Sequence, residues 1–171
     1  MAKMTVTMKA AVYPGSFDPI TLGHIDIIRR VSVVFPKLTV LVANSIEKNY
    51  LFSGEERKKL IERSLMNLSN VKVEVFAGLT VDYLKSHKHQ VIIRGIRAVS
   101  DFESELVMAN MNKILAPEIE TMVVFASPKY HYVASRVIKE VASHGGDLSS
   151  CLPDAVVKAL ADKLTQKPKK K

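Results

Sequence analysis

Apolar residues recur along the chain in two alternating rhythms. Short runs bounded by turn residues stand at 8–13, 38–43, 71–76, 90–93 and 121–126, and each predicts a strand. Between them the spacing changes to that of helices. Ile25, Ile28, Ser32 and Phe35 place one face on a helix over 23–35. Ser53-Gly54-Glu55-Glu56 forms a capping box that opens a charged amphipathic helix through about 67. A helix over 79–88 follows the third strand. Ser100-Asp101-Phe102-Glu103 forms a second capping box, opening a helix that turns Val107, Met108, Met111, Ile114 and Leu115 inward. Gly145-Gly146 stops the next helix, and Leu152-Pro153-Asp154 opens a last one ending near 164.

Five strands alternating with helices predict an α/β domain, a doubly wound parallel sheet covered on both faces, with ligands at the carboxyl ends of its strands. The loops after strands one, two, four and five fall on that rim. The length of 171 residues suits one domain over 1–165, with 1–7 a loose extension and 166–171 a Lys-rich tail.

Composition narrows the classes of function. No apolar run approaches the ~18 residues of a membrane span, and residues 1–8 lack the apolar core of a signal peptide. The single cysteine, Cys151, has no partner for an internal disulfide and fits a reducing cytoplasm. The net charge is +8, but Lys167, Lys169, Lys170 and Lys171 supply half of it in the tail. With no Trp, six Phe and five Tyr, the chain lacks the basic, aromatic-studded face of a nucleic-acid binder. Small anionic substrates account better for the remaining surplus. The five histidines are scattered without ligand spacing, so no protein metal site is expected.

The most informative stretch is Tyr13-Pro14-Gly15-Ser16-Phe17-Asp18-Pro19-Ile20-Thr21-Leu22-Gly23-His24. A strand ends in a turn at Pro14-Gly15, a loop stiffened by two prolines follows, and a helix begins. Gly15 and Gly23 let backbone amides approach a ligand, and the helix N-terminus offers unpaired N–H groups and a positive dipole end to an anion. His24 in the first turn is expected to be neutral there and to donate one N–H to a phosphate oxygen.

This stretch resembles the signature loop of the H/T-x-G-H nucleotidyltransferases and, within them, the phosphopantetheine adenylyltransferase family. Two further stretches share the resemblance: Ile93-Arg94-Gly95-Ile96-Arg97-Ala98-Val99-Ser100-Asp101-Phe102-Glu103, and the segment from Ser127 through Tyr130-His131-Tyr132-Val133-Ala134-Ser135-Arg136 to Lys139-Glu140. It spans about residues 8–164. It implies a Rossmann-like fold and adenylyl transfer from ATP to 4'-phosphopantetheine, giving dephospho-coenzyme A and pyrophosphate.

Residue by residue, the resemblance makes His24, Lys48 and Arg97 catalytic. It puts Ser16, Phe17, Gly23, His24, Gly95, Ile96, Arg97, Glu105 and residues 130–136 at ATP, and Ser16, Lys48, Thr80 and Arg94 at the acceptor. It also implies Mg2+ arriving with ATP, a cytoplasmic homo-oligomer of six chains, and coenzyme A as a candidate feedback ligand. One departure stands out: Ala134 occupies a position where the family carries a serine, so one phosphate-binding hydroxyl is missing. Other readings share these residues. A related adenylyl- or cytidylyltransferase with a different acceptor would keep the T-x-G-H loop, and a nucleotide sensor without turnover would fit Ala134.

Overall fold

The computed structural model describes residues 10–45 and 49–165. Five strands, β1 (Ala10–Gly15), β2 (Lys37–Ala43), β3 (Val71–Phe76), β4 (Val91–Ile96) and β5 (Glu120–Phe125), form one sheet in the order β3-β2-β1-β4-β5. Every pairing is parallel. The helices are α1 (Leu22–Val34), α2 (Gly54–Ser64), α3 (Thr80–Ser86), α4 (Val99–Leu115), α5 (Ser135–Ser143) and α6 (Asp154–Thr165). Among the described residues none is long and apolar enough to cross a membrane. The expected extension at 1–7 and tail at 166–171 lie outside the described residues.

Strand alternation divides the core in two. Ala11, Tyr13, Leu38, Val40, Val42, Val91 and Ile93 face a large cluster with α1, α2, α5 and α6. Val12, Leu41 and Ile92 face the other side, where α3 supplies Val81, Tyr83 and Leu84. The central strands are thus apolar on both faces, as a parallel sheet between helices requires. The chain runs outward from β1 through β2 to β3, then crosses back to lay β4 against the other side of β1. That reversal opens a crevice at the carboxyl ends of β1 and β4.

Several boundaries differ from the sequence expectation, for identifiable reasons. Pro14-Gly15 does not end the first strand: both stay in β1, paired in register with Leu41 and Val42. Proline is tolerated because β1 and β4 share one register pair, Val12 with Ile92, so Pro14 is not asked to donate on that side. β4 likewise runs on through Arg94, Gly95 and Ile96, which are strand residues opposite Val123, Val124 and Phe125 and not a turn after the strand. The helices after Ser53 and Leu79 are shorter than expected, ending at Ser64 and Ser86.

The second capping box does not form. Helix α4 starts at Val99, its N-cap is Ala98 without a side-chain bond, and the Asp101 carboxylate goes to Arg97 instead. Nor do its apolar residues point inward. Val107, Met108, Met111, Ile114 and Leu115 are all exposed, and Asn112 is the only buried residue of α4. The cluster on that side of the sheet is closed by α3 with Ala116 and Ile119, and no residue of α4 belongs to it.

Candidate active site

A cavity of about 490 Å³ lies in the crevice between the ends of β1 and β4. Its floor comes from Tyr13 to Phe17, one wall from Thr21, Gly23 and His24, another from Arg94, Gly95, Arg97, Asp101 and Glu105, and its roof from Tyr130 and Val133 to Arg136.

Thr21 and His24 build the start of α1 together. Thr21 Oγ1 accepts the His24 N–H at 3.3 Å, while the Thr21 N–H donates to His24 Nδ1 at 3.1 Å. This is a capping box with histidine in the place usually taken by Glu or Gln. Its chemical consequence is a fixed tautomer: with Nδ1 accepting, the neutral ring carries its proton on Nε2. The ring also packs edge-on against Phe17, centroids 5.1 Å apart. Burial pushes the imidazole pKa down to about 4, and the Arg97 guanidinium acts in the same direction. Neutrality was expected from the helix dipole; desolvation is the larger cause.

The two arginines are held by carboxylates of α4. Arg94 donates through Nε and Nη2 to Glu105 at 2.5 Å each, and through Nη1 to the Pro14 carbonyl at 3.0 Å. Arg97 donates through Nε and Nη2 to Asp101 at 3.0 and 3.1 Å, and through Nη1 to the Val133 carbonyl at 3.1 Å. A guanidinium has five N–H donors, so each side chain keeps two for a ligand while its plane is fixed by a bidentate pair. The Arg97 hydrogen bonds hold the Asp101 carboxyl below the usual carboxylate range.

At two glycines an added Cβ would crowd a buried side chain, which would have to shift. A Cβ on Gly15 would stand 2.7 Å from the Phe17 ring, and one on Gly95 would stand 2.5 Å from Ile27 Cδ1. At the roof, Ala134 is the N-cap of α5 and offers no side-chain acceptor, leaving the first amides of that helix without a side-chain cap. The Ser135 hydroxyl donates to the Pro19 carbonyl at 2.9 Å, so its proton is committed within the protein.

Of the residues singled out in the sequence, Ser16, Phe17, Gly23, His24, Arg94, Gly95, Arg97, Glu105, Tyr130, Val133, Ala134, Ser135 and Arg136 meet at this cavity. Four others do not line it. Ile96 is buried within β4, and the His131 ring lies 3.1 Å through Nε2 from the Ala126 carbonyl. Tyr132 is 65% exposed, and Thr80 opens α3 beyond the edge strand β3. Lys48 lies outside the described residues.

Sequence reasoning missed the buried charges beneath the loops. Asp18, 3% exposed, accepts from Leu51 N and Phe52 N at 2.9 Å and from Lys139 Nζ at 2.8 Å, joining the phosphate loop to α5. Arg57 is fully buried under the same loop. One signal was present: Arg57 stands three and four residues before Leu60 and Ile61, on the apolar stripe of α2.

The sequence pattern of the family described as cytidylyltransferase-like matches residues 12–141. The phosphopantetheine adenylyltransferase of Bdellovibrio bacteriovorus is 59% identical over 156 residues, covering 91% of this chain and 98% of that protein. That of Thermotoga neapolitana is 49% identical, covering 91% and 97%. The chain belongs to the phosphopantetheine adenylyltransferase family. A solved bifunctional NMN adenylyltransferase/ADP ribose pyrophosphatase from Francisella tularensis superposes with a TM-score of 0.73 over 94% of this chain and 51% of that one. At 17% identity that likeness concerns the fold, the Rossmann-like α/β architecture expected from the sequence. Membership in the phosphopantetheine adenylyltransferases makes the chain a nucleotidyltransferase, and the matched span contains His24, Arg94, Arg97 and the start of α5.

Proposed function

We propose that this protein transfers the adenylyl group of ATP to 4'-phosphopantetheine, giving dephospho-coenzyme A and pyrophosphate, in the cytoplasm. The observation that carries the reading is the pairing of a neutral Nε2–H imidazole with two fixed arginines in one cavity at the β1–β4 crevice. The acceptor phosphate, with a second pKa of about 6, is already anionic at neutral pH and needs no general base. Its oxygen attacks the α-phosphorus of ATP as the bond to the bridging oxygen breaks and pyrophosphate leaves with that electron pair. The protein positions the two anions and offsets their charge. In this scheme His24 Nε2–H and Arg97 face the reacting phosphoryl group with Lys48, Arg94 takes the acceptor phosphate, and the amides of α5 receive ATP phosphates without a hydroxyl at Ala134. Coenzyme A, which contains the acceptor moiety, competes for the same cavity.

Among the described residues no group of three or more His, Cys, Asp or Glu is arranged to hold a metal. The cavity carboxylates, Asp101 and Glu105, are both engaged by arginine. Mg2+ would therefore be held mainly by the ATP phosphates, where it neutralises charge. The exposed apolar face of α4 supports assembly into a hexamer of about 114 kDa from chains of 19.0 kDa.

Pyrophosphate release with each candidate acceptor tests the reading. Release is expected with 4'-phosphopantetheine; release only with another acceptor, or with none, overturns it. Labelled pyrophosphate should enter ATP only when the acceptor product is present, and the α-phosphorus should invert its configuration. Retention, or exchange without acceptor, would reveal a covalent intermediate.

A further inference from the structure

Arg57 lies in the first turn of α2, yet none of its surface is exposed. Burying a charge is costly unless every donor is satisfied, and here the guanidinium spends its donors on three separate segments. Nη1 donates to the Ser16 carbonyl at 2.7 Å and to the Ala43 carbonyl at 3.0 Å. Nη2 donates to Asn44 Oδ1 at 2.7 Å, and Nε donates to the Ser53 carbonyl at 3.3 Å. The Tyr50 ring stacks on the guanidinium, its centroid 3.9 Å from Cζ. One planar cation thus joins the phosphate loop, the end of β2 and the cap of α2.

The contact with Ser16 carries the consequence. Phe17 has φ of +46°, a left-handed conformation that non-glycine residues rarely adopt. The Ser16–Phe17 peptide is trans, so its N–H points opposite to its C=O. Pinning the carbonyl against Arg57 turns the Phe17 N–H away from the buried guanidinium. Ser16 and Phe17 line the cavity and Arg57 does not, so the N–H turned from Arg57 belongs to a peptide that borders the cavity.

We infer that Arg57 is a positioning residue that holds the Ser16–Phe17 peptide with its N–H presented to a phosphate group in the cavity. The inference rests on the nucleotidyl-transfer reading for its kinetic effect. Arginine suits the task because its rigid fork bonds several acceptors in one plane; lysine keeps the charge but cannot span Ser16, Asn44 and Ser53 together.

The test uses the full-length chain labelled with 15N-phenylalanine, whose six residues give few amide signals. Inorganic pyrophosphate is the probe. In the unmodified protein the Phe17 amide should shift saturably on titration. In Arg57→Lys the saturating shift should fall at least threefold while the protein stays folded by circular dichroism. Its kcat should drop by about 10- to 100-fold, the scale of a misplaced catalytic contact, with the acceptor KM within twofold. A purely structural role would lower activity only in proportion to the folded fraction and leave the Phe17 response intact. An unchanged Phe17 response, or a kcat within twofold, overturns the proposal. Should Arg57→Lys fail to fold, Asn44→Ala removes one 2.7 Å contact and keeps the guanidinium, with the same readouts expected at roughly 3- to 10-fold. If the unmodified protein releases no pyrophosphate with 4'-phosphopantetheine, the activity reading fails, while the Phe17 response still decides the role of Arg57.

Discussion

Helices α1 and α4 follow adjacent strands at the centre of the sheet, yet one chain treats them differently. α1 is 13 residues long and buries six of them, and a reciprocal capping box fixes its start. α4 is 17 residues long and buries only Asn112; Arg97 and Asp101 tether its beginning, and Met108, Met111 and Ile114 face solvent. The difference separates two uses of apolar sequence. In α1 the apolar stripe meets this chain's own core and sets the position of His24. In α4 a contiguous apolar face finds no core among the described residues, and it is the surface proposed above for assembly with other copies. The cavity wall that α4 contributes is therefore anchored mainly through its arginine–carboxylate pairs.

The largest effect expected is at the α1 end. His24→Gln keeps a side chain suited to the N3 position of a capping box but removes the imidazole donor, and kcat should fall by about 10²- to 10³-fold. ATP binding, measured by calorimetry, should change far less. A loss confined to ATP affinity would erase the distinction drawn for α1.

On the α4 side, Arg94→Ala releases Glu105 and removes the two donors left for the acceptor. The acceptor KM should rise roughly 10- to 100-fold, the worth of one charge-assisted contact, with a smaller change in kcat. Steady-state kinetics with both substrates varied would sharpen the contrast between the two walls, and an equal effect on the ATP KM would break it.

The exposed face of α4 offers a third test. Met111→Glu combined with Ile114→Glu should reduce the proposed assembly of about 114 kDa toward the 19.0 kDa of one chain, read by light scattering, without unfolding it. If these changes unfold the monomer instead, α4 is packed in the single chain after all.

The smallest effect concerns pH. Because burial lowers the His24 pKa from 6.5 to about 4, the unfolded chain binds more protons than the folded one between those values. Stability contributed by this group is complete above about pH 6.5 and is lost as pH falls through 4, amounting to roughly 3 kcal/mol. Urea unfolding of the unmodified protein at pH 7 and pH 4.5 should show this loss, and His24→Gln should show less of it. The kcat profile should carry no His24 inflection between pH 6 and 8.

The periodicity of this sequence was enough to place five strands and the helices between them, because a doubly wound sheet buries its central strands on both faces and writes them as apolar runs. The motif stretches were equally legible, since Thr21, His24, Arg94 and Arg97 lie close in sequence to the strand ends that carry them. What local pattern could not decide was direction and partnership. The apolar residues of α4 read as core because helical spacing does not say which surface is free; in the fold none of them joins either core cluster. Pro14 read as a turn because only the single register pair between β1 and β4 makes a proline harmless there. Arg94 and Arg97 were legible as cations, but their pairing with Glu105 and Asp101, and the Nε2 proton on His24, depend on distances between elements and along a helical turn. The sequence put Arg57 on a charged amphipathic helix without giving it a partner, and only the closing of β2, α2 and the phosphate loop around it makes that charge a buried clamp. Burial and hydrogen-bond geometry are properties of the packed chain, and they decide what a charged side chain can do.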